Sequence, residues 1–133
     1  MRKVIIERTA YSPGVILDPE NNQYEISGES RPPNALAFYE EILSWADEFS
    51  DWLTGSPQVS NAVQINLDFD YFNSSSAKYL LDFCKKMTRL QMKVNNITIR
   101  WYYDAEDTDM LEVGQEMSKL ARIPFEFKQR ATS

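Results

Sequence analysis

Ala62-Val63-Gln64-Ile65-Asn66-Leu67-Asp68-Phe69-Asp70, continued by Tyr71-Phe72-Asn73-Ser74-Ser75-Ser76-Ala77-Lys78, changes its period partway along. Up to Asp70, apolar and polar residues alternate, the two-residue period of a half-buried strand. Beyond the serines, Ala77, Leu80, Leu81, Cys84 and Met87 recur at three- and four-residue spacing, the stripe of an amphipathic helix starting near Ser74 or Ser75. Asn95-Asn96 breaks that stripe, and Ile97, Ile99 and Trp101 then alternate with Thr98, Arg100 and Tyr102. Strand, helix, strand in succession predicts two parallel strands joined by a helical crossover.

The same pattern extends in both directions. Met110, Val113, Met117, Leu120 and Ala121 mark another helix, and Phe125-Glu126-Phe127 a last short strand. Upstream, Asn34 is placed to cap a helix whose broad apolar face runs through Ala35, Phe38, Tyr39, Ile42, Trp45, Ala46, Phe49, Trp52 and Leu53, with Gly55-Ser56-Pro57 as its stop. Before it stand three short strand candidates, Val4–Ile6, Val15–Leu17 and Gln23–Ser27. Turn residues separate them at Tyr11–Gly14 and Asp18–Asn22, and Gly28–Asn34 reads as a loop. Residues 1–133 are therefore expected to form one α/β domain, with a mixed sheet, an antiparallel N-terminal hairpin region and about three covering helices.

Composition narrows the function. With 43% hydrophobic residues the chain can bury a core, and a net charge of −6 is the wrong sign for a nucleic-acid footprint. Lys85, Lys86 and Arg89 are the nearest to a basic cluster and read as a solvated helix face. The chain has no histidine, so the commonest general base and zinc ligand are missing. No glycine-rich phosphate loop is present, and no cofactor is implied. The single Cys84 lies on an apolar stripe, a core position. No segment is apolar enough for membrane insertion and no signal peptide opens the chain, so the cytoplasm is the expected location.

Three clusters carry possible chemistry. Asn73, Ser74, Ser75 and Ser76 fall at a helix N-terminus, where unsatisfied N–H groups and the helix dipole favour an anion. Asn73 or Ser74 can serve as a plain cap, or one hydroxyl can accept a phosphoryl group, with Lys78 one turn in to pair with it. Asp104, Glu106, Asp107 and Asp109 have the charge for a divalent metal, but without the spacing of a calcium loop, and Asp107 suits a helix cap. Asp68 and Asp70 share a strand face and form the remaining acid pair. Tyr71 and Tyr103 suit an exposed recognition surface. From the residues alone, a phosphorylation switch, a constitutive interaction domain whose serines only cap, and a metal-dependent hydrolase using the acidic loop all stay open.

Several motifs taken together resemble the SiaC family of bacterial regulatory phosphoproteins, whose fold is similar to STAS domains and anti-sigma-factor antagonists. They are Thr9-Ala10-Tyr11-Ser12-Pro13, Gly28-Glu29-Ser30-Arg31-Pro32-Pro33-Asn34, the Asp70–Lys78 stretch, Trp101-Tyr102-Tyr103-Asp104 with Asp107, Asp109 and Met110, and Ile123-Pro124-Phe125. The resemblance implies a non-enzymatic switch in a partner-switching pathway. A cognate serine/threonine kinase phosphorylates it, a metal-dependent serine/threonine phosphatase reverses this, and the unphosphorylated form activates a diguanylate cyclase or similar output, in cyclic di-GMP and biofilm control. The family motif places the phosphoacceptor on Ser74, with Ser75 as second choice, in a partner-binding surface of Tyr71, Asn73, Ser75, Ser76 and Lys78. Serine stands at 74 where the family usually has threonine, and Arg31 and Pro33 replace the usual tyrosine and glutamate before the first helix.

Overall fold

A computed structural model describes residues 1–55 and 61–131. Six strands form one sheet: β1 (Val4–Ile6), β2 (Gly14–Asp18), β3 (Gln23–Ser30), β4 (Val63–Phe72), β5 (Ile97–Tyr103) and β6 (Glu126–Gln129). Their order in space is their order in sequence. β1, β2 and β3 pair antiparallel, while β3–β4, β4–β5 and β5–β6 pair parallel. The three parallel connections are α1 (Ala35–Gly55), α2 (Ser74–Val94) and α3 (Thr108–Ala121). Crossovers that all step the same way across a sheet, each right-handed, put their helices on one face. The expected single α/β domain with a mixed sheet is what forms.

The alternation in β4 is the physical signature of this two-layer build. Val63, Ile65, Leu67 and Phe69 are buried beneath the helices, while Gln64, Asn66, Asp68 and Asp70 point to the other face. One core spans all the elements, with Trp45, Trp101, Tyr39 and Phe49 among its largest buried side chains. Trp101 stacks on Phe125, and its indole N–H donates to the Met110 carbonyl at 3.0 Å, fastening α3 to β5. Cys84 is buried in this core, and the apolar surroundings push its thiol up to about 12. Among the described residues, no helix is long and apolar enough to cross a membrane.

Two expectations need correction, and one apolar stripe is only partly covered. Gly28–Ser30 is strand, not loop: once β4 lies alongside, Gly28, Glu29 and Ser30 pair with Phe69, Tyr71 and Phe72, past a register shift between Gly28 and Glu29. Gly28 makes that shift with φ 101°, and the Arg8 guanidinium occupies the space a side chain would need. Lys85, Lys86 and Arg89 do not form a single face. Lys86 bonds Asp47 of α1 at 2.7 Å, whereas Lys85 and Arg89 line the α2–α3 seam. Val113 and Leu120 belong to the apolar stripe of α3 but are 41% and 53% exposed, because the sheet covers only part of that stripe. Of the expected stop after α1, Gly55 is the last helical residue, and Ser56 and Pro57 lie outside the described residues.

Candidate functional site

The β4–α2 junction is built from backbone upward. Tyr71 and Phe72 end β4 against Glu29 and Ser30, and the Asn73 amide donates to the Ser30 carbonyl at 3.0 Å. Asn73 is extended, and its side-chain oxygen accepts the Ser76 amide at 2.9 Å. The helix cap is therefore Asn73 rather than Ser74, which leaves the Ser74 side chain free of that duty. Ser74 and Ser75 open α2 as exposed residues.

Ser76 does not share that surface. It is 0% exposed, and its hydroxyl donates to the Ser30 carbonyl at 3.0 Å while accepting from Ser30 Oγ at 2.8 Å. The Tyr39 hydroxyl closes the chain on Ser30 Oγ. With Ser30 Oγ donating to Ser76, the phenol of Tyr39 is the donor to Ser30, which requires it to stay protonated. Burial pushes Tyr39 up to about 12, outweighing its hydroxyl contacts, so it does. This buried chain ties β3, α1 and α2 together directly beneath the exposed serines. Sequence reasoning missed Ser30 and Tyr39, since nothing local to either signals that Ser30 bonds Ser76, 46 residues along the chain, or that Tyr39 closes on Ser30.

Around the junction, Tyr71 is 48% exposed and Lys78 is exposed, its ammonium 5.5 Å from the Tyr79 ring centroid. Arg31 folds back instead of reaching outward: its guanidinium bonds Glu29 at 2.7 Å and lies 4.8 Å from the centroid of the Tyr11 ring. Asp68 and Asp70 lie on the sheet face away from the helices, where Arg130 holds them. Its Nε donates to Asp68 at 2.6 Å, and its guanidinium also reaches Asp70 at 3.7 Å and Asp104 at 3.2 Å. Asp107 caps α3, accepting the Met110 amide at 3.0 Å. Thus Asp104 and Asp107 of the acidic loop have structural partners, and no group of three or more metal-type ligands comes together among the described residues.

On the other side of Ser74, α2 and α3 frame a groove of about 460 Å³, bordered by Ser74, Ala77, Lys78, Leu81, Val113 and Leu120. Its α3 half was hidden in the sequence, because an apolar stripe does not announce which of its members stay uncovered.

Comparison with known proteins gives this geometry a context. The profile of the SiaC family regulatory phosphoproteins matches residues 6–130. An uncharacterized protein of Pseudomonas aeruginosa is 21% identical over 125 residues, 94% of each chain. The fold is similar to that of apo-SiaC from Pseudomonas aeruginosa, with TM-score 0.78, 21% identity and coverage of 98% of this chain and 100% of that one. It is also similar to a chain in the structure of the diguanylate cyclase SiaD with its activator SiaC, from the same organism. There the TM-score is 0.82, the identity 20% and the coverage 96% and 99%.

Proposed function

The chain belongs to the SiaC family of regulatory phosphoproteins, and from that premise we propose that it is a non-enzymatic, cytoplasmic switch set by phosphorylation of Ser74. The observation that carries the reading is the division of labour at the start of α2: Asn73 caps, Ser76 is buried in a bonded chain, and Ser74 and Ser75 are left exposed in the first turn, Ser74 being the one at the family motif's acceptor position. A phosphate there adds roughly −1.5 to −2 charge at the positive end of the helix dipole. Lys78, one turn along, is the nearest cation on the same helix. A partner seated over Tyr71, Asn73, Ser75 and Lys78 in the unmodified state loses contact when that charge and bulk arrive. The similar chain in complex with SiaD supports a diguanylate cyclase as the output. In the proposed cycle a cognate kinase adds the phosphate and a metal-dependent phosphatase removes it.

The test is phosphorylation by the cognate kinase with ATP, followed by mass spectrometry of wild type, Ser74→Ala and Ser75→Ala. Phosphate is expected at Ser74, lost in Ser74→Ala and kept in Ser75→Ala. Ser74→Asp is expected to release the cyclase in a pull-down while the circular dichroism spectrum is unchanged. Phosphate found only outside residues 74 and 75 overturns the reading.

A further inference from the structure

We infer that the outer edge of β6 pairs antiparallel with the same strand of a second copy, joining two chains in one continuous sheet about a twofold axis at Phe127. The inference is independent of the Ser74 reading, because it concerns the far edge of the sheet. α2 starts from β4, two strands inward.

β6 ends the sheet and pairs only with β5 among the described residues. The Arg130 amide donates inward to the Tyr103 carbonyl at 2.8 Å. Peptide groups along a strand turn alternately to its two sides, so those of Lys128 also face β5, and those of Phe127 and Gln129 face outward. An outward row of N–H and C=O groups is a template for another strand. Proteins that keep such an edge single blunt it with a proline, a bulge or unmatched charge. β6 holds no proline, and its register to β5 runs without a shift.

Its charges are matched instead. Glu126 and Lys128 flank Phe127 on the open sheet face, and their side chains are 48% and 45% exposed. Run antiparallel about Phe127, the sequence Glu-Phe-Lys is its own complement: Glu126 of each copy faces Lys128 of the other. These are the pairs without ladder bonds, where opposed side chains come closest. The two Phe127 residues between them exchange both of their outward bonds. Centring the axis one residue either way fails on charge, since it sets Glu126 against Glu126 or Lys128 against Lys128. On the helix side, Phe127 packs at the border of the core. Beside it α3 leaves a depression of about 440 Å³, bordered by Gln115, Ser118 and Lys119. The Phe127 ring of a second copy, brought alongside by the pairing, would cover it. Four residues make a short strand, so the dimer is a weak, concentration-dependent one.

Sedimentation equilibrium of the full chain from about 10 µM to about 1 mM is expected to show monomers and dimers in exchange, half dimer at roughly 100 µM. Glu126→Lys and Lys128→Glu are each expected to weaken the dimer at least about tenfold. Combined in one chain they should restore it to within about threefold of wild type, because the swapped charges again face each other. Gln129→Pro removes an outward N–H that the ladder to β5 does not use, so it should leave the circular dichroism spectrum unchanged and weaken the dimer about tenfold. In the wild type, amide exchange at Phe127 and Gln129 should slow as concentration rises, while Lys128 stays protected throughout. A chain still monomeric at about 1 mM overturns the inference. So does a double swap as weak as its parts, or a dimer indifferent to Gln129→Pro. Growth beyond the dimer overturns it too, since β6 would then be meeting the other edge strand, β1, of the next chain.

Discussion

Ser74, Ser75 and Ser76 carry the same side chain into three different surroundings. Within one helical turn the third hydroxyl faces the core and the first faces solvent, since each residue rotates the side chain by about 100°. Charge at the two ends of the run should therefore have opposite consequences. Ser76→Asp buries a carboxylate in place of a hydroxyl bonded to Ser30 and is expected to lower folding stability by about 3 kcal/mol, read from the urea midpoint. Ser74→Asp at an exposed helix start should leave that midpoint nearly unchanged. Asp18 gives a second residue-scale prediction. Hydrogen bonds from Asn21, with the side chain at 2.7 Å, hold its carboxyl below the usual carboxylate range even though partial burial opposes this. A depressed folded-state value means stability that is present above the unfolded pKa and lost as pH falls through the folded one. Urea melts of wild type and Asp18→Asn should thus differ most near neutrality and converge in strong acid. The serine run was readable as a helix start from its sequence, but which hydroxyl turns inward depended on Ser30 arriving from β3.

Among the elements, the strands and helices with strong periodicity stood where their patterns placed them. β4 alternates because one of its faces is covered, and α2 carries a stripe because one side packs on that sheet. β3 was read too short, because Gly28 is a strand breaker by local propensity and only the ladder to β4 makes an extended residue of it. α3 shows the opposite limit: periodicity identified its apolar stripe but not the fact that Val113 and Leu120 remain open. Gly114 is the tightest point of that helix. A methyl group there would run into the Trp101 indole, with Nε1 and Cδ1 too close to be tolerated. Trp101 cannot yield easily, held between Phe125 and the Met110 carbonyl. Gly114→Ala is therefore expected to cost about 1–3 kcal/mol in spite of alanine's better helix propensity, with a lowered melting temperature by calorimetry.

For the molecule as a whole, one side chain near the end of the described chain joins the last strand to the centre of the sheet. Arg130 bonds Asp68 and the Phe69 carbonyl on β4 and reaches Asp104 beyond β5, while its amide donates to Tyr103. Burial alone would lower its pKa, but Asp68 and Asp104 overcome that and raise it, so it stays charged. Arg130→Met leaves Asp68 without its partner and is expected to lower global stability by about 2 kcal/mol. Hydrogen exchange at the β6 amides should accelerate before exchange elsewhere in the sheet. No spacing in the sequence linked Arg130 to Asp68, which stands 62 residues earlier. Local periodicity by itself determined that this is an α/β chain with a β–α–β second half, because period two and period 3.6 are written into neighbouring residues. The acidic balance is the wrong sign for a nucleic-acid footprint. Only the tertiary structure decided that Asn73 caps, that Ser76 is sealed against Ser30 and Tyr39, and that the α2–α3 seam lies open beside Ser74. Each of those depends on which distant residue arrives at the site, and contacts between distant residues are set by how the elements pack.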